Sequence, residues 1–138
     1  MRAGTSLRIA SVLTLIHAAL HTVGGVFGKQ ATGAQQAVAD VMRSTTFPMA
    51  GLTRSYWDLY FGMALAVSVF LTLEGVVLWQ LGSIAKRDAQ LVRPVVMTFL
   101  VGYLGLAVVS YRYFFAAPAI TEILIAVFLA MALRQDRN

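Results

Sequence analysis

The sequence predicts an all-α integral membrane protein: an antiparallel four-helix transmembrane bundle with a short amphipathic surface helix in its first loop. Three observations carry this. Of 138 residues, 59% are hydrophobic and 12% charged, at a mean hydropathy of +0.74, whereas soluble domains carry about 25% charged residues. The apolar residues fall into four long runs, about 7–27, 57–80, 94–113 and 118–134, each near the ~20 residues that cross a bilayer as a helix. The basic residues sit at the ends of these runs, so the net charge of +5 reads as membrane orientation rather than nucleic-acid binding. All four spans are read as one domain covering residues 1–138.

The first span follows Arg2 and Arg8, a pattern shared with signal peptides. Its apolar run continues past Val23 to Phe27, holds two histidines and lacks a small-residue cleavage site, so an uncleaved span is expected. In the polar stretch 28–55, Val38, Val41 and Met42 recur at helical spacing within Ala34 to Arg43, which predicts a short surface helix. The second span begins at Trp57 and carries Trp79 near its end. At helical rise the two indoles lie ~33 Å apart, one in each interface. Pro94 and Pro118 suit the first turns of spans three and four, and the short link between those spans makes them neighbours. With both termini on one side, that side collects Arg2, Arg8, Lys86, Arg87, Arg93, Arg134 and Arg137 against Lys29, Arg43, Arg54 and Arg112. The excess supports both termini in the cytoplasm.

Polar groups within spans are costly and call for a partner or a use. Each span offers a face of small residues with an ionisable group: His17, His21, Gly24 and Gly28; Asp58, Gly62 and Ala66; Gly102, Gly105 and Arg112; Glu122, Ala126 and Ala130. These faces are expected to meet in the bundle, gathering His17, His21, Asp58, Arg112 and Glu122 in its outer half. Glu74 lies in the inner half, ~160° around its helix from Asp58, and is assigned to another contact such as a neighbouring chain.

Several chemistries follow from these residues. His17 and His21 have the spacing of paired metal ligands, and Asp58 or Glu122 could complete a single-ion site; the alternative is that each histidine hydrogen-bonds across helices. Two histidines one turn apart on one helix do not clamp a haem. The absence of cysteine excludes disulfides, thiolate sites and thiol nucleophiles. Asp58 is a candidate base or proton carrier, or else pairs with Arg54 one turn back. Glu122 is a candidate acid, or pairs with Arg112 across the short turn, where Arg112 would otherwise anchor an acidic head group. Trp57 and Tyr60 are belt aromatics and candidate ligand contacts. Tyr103 falls in mid-span, where its hydroxyl needs a partner.

The stretches His21 to Gly28 (HTVGGVFG) and Arg54 to Gly62 (RSYWDLYFG) resemble a family of short, uncharacterised bacterial four-span membrane proteins. The architecture is similar to that of DoxX-like four-helix proteins and, more distantly, of the sterol-isomerase-like family, which uses buried carboxylates, a histidine and a tryptophan on an apolar ligand. The resemblance implies a fold and transfers no site residue. The function expected is a lipid-accessible polar pocket in the outer half that binds a quinone, a sterol-like molecule or a lipid head group, with acid–base or metal-assisted chemistry open to it. The alternative is a non-catalytic accessory or scaffold subunit, in which the glycine faces and Glu74 bind partner helices. A third reading, a transporter, requires oligomers because four spans make a thin wall. The partners these readings admit are membrane lipid, an apolar ligand, further copies of the chain or a larger membrane complex, and no nucleic acid.

Overall fold

The computed structural model describes residues 2–28 and 32–134; Lys29 and Arg137, counted above for orientation, lie outside them. Helix α1 spans Ala3–Leu20 and runs into a π-helical stretch, His21–Val26. Helix α2 spans Ala34–Ser44, strands β1 and β2 Thr46–Met49 and Leu52–Ser55, and α3 Tyr56–Ile84. A 3-10 turn, Gln90–Val92, leads into α4, Arg93–Tyr113, and α5 covers Ala116–Arg134. Four helical segments among these residues are long and apolar enough to cross a membrane: Ala3–Val26, Tyr56–Ile84, Gln90–Tyr113 and Ala116–Arg134.

The chain divides into two compact units, residues 19–70 and residues 1–18 with 71–138. In the second unit each helix buries one seam with a three-to-four-residue step. On α1 the seam is Ala3, Gly4, Ser6, Leu7, Ala10, Ser11, Thr14 and Ala18. On α3 it includes Leu71, Gly75, Leu78 and Gly82. On α4 it is Val96, Tyr103, Ala107 and Ser110, and on α5 it includes Ala119, Glu122, Ala126, Leu129 and Leu133. The α1 seam is nearly all small or hydroxylic, which lets backbones come close. A methyl group on Gly4 would lie 2.6 Å from the Gly82 carbonyl oxygen, and Ser11 Oγ donates to the Gly75 carbonyl at 2.6 Å. At the other pair, Arg93 Nη1 donates to the Leu133 carbonyl at 3.1 Å, serving one of the carbonyls that a helix end leaves open.

These seams correct three of the four expected faces. Gly102, Gly105 and Arg112 are exposed, and so are Asp58, Gly62 and Ala66. Gly24 and Gly28 are exposed too, because the π-helical stretch lengthens the turn from His21 onward and ends the simple four-residue stacking. Only Glu122, Ala126 and Ala130 turn inward as expected, the last half-buried. Hydropathy is nearly uniform around such helices, so a row of small residues does not by itself mark the packed side.

In the 19–70 unit, α2 forms where the sequence predicts a short helix, and a β-hairpin not foreseen in the sequence follows it. Thr46 pairs with Ser55 and Met49 with Leu52, closed by Ala50 and Gly51, both at positive φ (48° and 82°). Two such residues in a two-residue loop match the twist of a hairpin. Pro48 sits on this isolated ribbon, where a missing donor costs little.

Candidate functional site

The 19–70 unit contains a groove of about 870 Å³ bounded by Gly24 to Gly28, α2 and the first turns of α3. That volume falls in the range of small-molecule sites. One wall is aromatic. Trp57 lies near-parallel to Phe61 (13°, centroids 6.4 Å apart), Tyr60 is 5.7 Å from Trp57, and Phe27 meets Phe61 edge-on at 6.0 Å. The other wall is α2, which presents Val38, Ala39 and Met42 beside Gln35, Gln36 and Arg43.

Arg43 is held from two directions. Its guanidinium carbon stands 4.1 Å from the Trp57 ring centroid, a cation–π contact, and Nη1 donates to Asp40 Oδ1 at 3.1 Å. Gln36 Nε2 donates to the same oxygen at 2.7 Å. Glycines make the remaining wall thin: a side chain on Gly28 would collide with the Gly24 carbonyl. The predicted ligand contacts Trp57 and Tyr60 both line this groove, whereas Arg43, Gln35 and Gln36 were missed as site residues. The signal for Arg43 was its place on the amphipathic Ala34 to Arg43 helix.

Asp58 does not pair with Arg54. Its Oδ2 accepts from the Ser55 backbone N–H at 2.8 Å, and its own N–H donates to Ser55 Oγ at 3.1 Å. This reciprocal cap starts α3, while Arg54 donates to the Thr53 carbonyl. His21 Nε2 is 3.1 Å from the Ala64 carbonyl oxygen, the cross-helix role weighed against metal binding.

The other unit holds a polar cluster that is buried at Tyr103 and Thr14 and half-buried at Glu74. Tyr103 is 1% exposed. Its hydroxyl lies 2.8 Å from Glu74 Oε2 and 3.0 Å from Thr14 Oγ1. Thr14 Oγ1 is in turn 3.0 Å from the Ala10 carbonyl oxygen. The partner expected for Tyr103 is thus Glu74. On α5, Glu122 is 4% exposed. It accepts from Ser110 Oγ at 2.9 Å, and its second oxygen is buried with no hydrogen-bond partner. Arg112 is exposed and Glu122 is buried, Glu122 pairs with Ser110, and the expected Arg112–Glu122 pair does not form. His17 is half-buried on α1, one turn beyond Thr14. Among the described residues no three His, Asp or Glu side chains gather as a metal site.

Comparison with protein-family models, curated proteins and solved structures returned no match.

Proposed function

We propose that the chain is a multi-pass protein of a bacterial inner membrane, an antiparallel bundle with both termini cytoplasmic, whose groove binds a small amphipathic molecule. Four apolar helices support the membrane setting. So do their outward faces, where Met63, Phe70, Val101 and Val108 stand exposed as lipid contacts would. Contacts of Gly4 with Gly82 and of Ser11 with Gly75, and of Arg93 with Leu133 and Ser110 with Glu122, support the antiparallel order.

The groove carries the binding reading, because it joins an aromatic wall to a fixed cationic and amide edge in a space of about 870 Å³. A flat apolar body would stack against Trp57 and Phe61, and a carbonyl or acidic head would accept from Arg43 and the Gln35 and Gln36 amides. Quinones and acidic single-chain lipids both have this form.

The test uses Trp79→Phe protein in nanodiscs, where Trp57 is the remaining tryptophan, titrated with a decyl benzoquinone. Saturable quenching that Arg43→Ala or Tyr60→Ala abolishes is the expected result. Quenching that rises linearly with quinone and ignores both substitutions reflects partition into lipid and overturns the reading. The accessory-subunit reading has one observation in its favour: Gly102 and Gly105 face open space on α4. It predicts a co-purifying membrane protein that Gly105→Leu removes while groove binding persists.

A further inference from the structure

Three oxygen–oxygen contacts around Tyr103 share two hydroxyl protons unless Glu74 supplies a third. Three contacts are in place: Glu74 Oε2 to Tyr103 Oη at 2.8 Å, Tyr103 Oη to Thr14 Oγ1 at 3.0 Å, and Thr14 Oγ1 to the Ala10 carbonyl at 3.0 Å. The two hydroxyls bring one proton each. With Glu74 ionised, Tyr103 donates to the carboxylate and Thr14 has a single proton for two acceptors. Thr14 then divides one proton between Tyr103 and the Ala10 carbonyl, and both contacts are weaker, in a place where Tyr103 and Thr14 are buried.

We infer that Glu74, Tyr103 and Thr14 form an intramembrane proton-binding site, in which protonated Glu74 donates to Tyr103, Tyr103 to Thr14, and Thr14 to the Ala10 carbonyl. In this arrangement each of the three contacts holds one proton, and the cost of a charge in an apolar helix is avoided. The chain of donors ties α1, α3 and α4 together through Thr14, Glu74 and Tyr103. Removing the proton would reverse the direction of Tyr103 and leave Thr14 to choose between tertiary and local acceptors, so proton release and helix coupling are linked at this point. Other ionisable groups turned inward in this unit are Glu122 on α5, which is buried, and His17 on α1, one turn beyond Thr14 and half-buried. The site belongs to residues 1–18 and 71–138 and does not depend on the groove reading.

The sequence makes the test direct, because Glu74 and Glu122 are its only glutamates. Protein made by cell-free synthesis with carboxyl-¹³C glutamate in a Glu122→Gln background carries one labelled acid. Infrared spectra at pH 7, in a detergent free of esters and carboxyls, should show the isotope-shifted carbonyl stretch of a carboxylic acid. That band should vanish in Glu74→Gln/Glu122→Gln and move to higher frequency in Tyr103→Phe/Glu122→Gln, where the acid loses its acceptor. If the label in the Glu122→Gln protein appears only in the carboxylate bands, the proposal fails. It fails equally if an acid band is present but does not respond to Tyr103→Phe, since Glu74 would then not be donating to Tyr103. The first reading needs no substitution at Glu74 or Tyr103, so it stands even where variants at those two positions do not fold.

Discussion

Ser110 shows how much a single hydroxyl can decide inside an apolar helix. It is the hydrogen-bond partner of Glu122, whose other oxygen has none. Ser110→Ala leaves the whole carboxyl group buried without a donor, and a buried polar group so stranded costs about 1–3 kcal/mol. Unfolding of the detergent-solubilised protein by SDS should show a loss of that size, with Glu122→Leu/Ser110→Ala recovering part of it because no stranded group remains. An unchanged midpoint in Ser110→Ala would mean that Glu122 finds water or another donor. At this scale the sequence was informative about need and silent about partner. Tyr103, Glu74 and Glu122 each stand out as polar groups in apolar runs. That Glu74 meets Tyr103, and Glu122 meets Ser110 rather than Arg112, depends on which helix faces approach.

The helices themselves were legible as lengths and as ends. The four apolar runs lie where α1 with its π-helical extension, α3, α4 and α5 are found, since a span's length follows from bilayer thickness and its apolar content from the solvent. The Ser55–Asp58 cap and Pro94 mark two starts. Faces were less legible. The glycines that matter for close approach are Gly4, Gly75 and Gly82 rather than Gly102 and Gly105. This contrast yields a paired prediction. Gly4→Ala would set a methyl 2.6 Å from the Gly82 carbonyl oxygen and should destabilise by about 1–3 kcal/mol, the usual cost of overpacking. Gly102→Ala meets no atom within 4 Å and should be neutral or raise stability by up to about 1 kcal/mol through helix propensity. The same SDS titration ranks the two, and equal effects would show that α1 and α3 do not approach this closely in the membrane.

For the whole molecule, the chain lacks cysteine, so single introduced thiols report topology cleanly. With both termini in the cytoplasm, Thr53→Cys in the hairpin should react with an impermeant maleimide on intact spheroplasts. Asp88→Cys, before α4, should react only after permeabilisation. The reverse pattern would invert the orientation read from the basic residues. What the sequence determined by itself was the place and length of four helices apolar enough to cross a membrane, the short helix α2, and the polar residues that stand out within the apolar runs. Those properties are local, being sums of transfer free energies and backbone propensities along a short stretch. Only the tertiary structure decided which side of each helix is packed, that Arg43 and Trp57 form one edge of a groove, and that Thr14, Glu74 and Tyr103 share a hydrogen-bonded chain. Tyr103 stands 29 residues from Glu74 and 89 from Thr14 in sequence, and such contacts follow from how side chains fit between helices, which no single helix encodes.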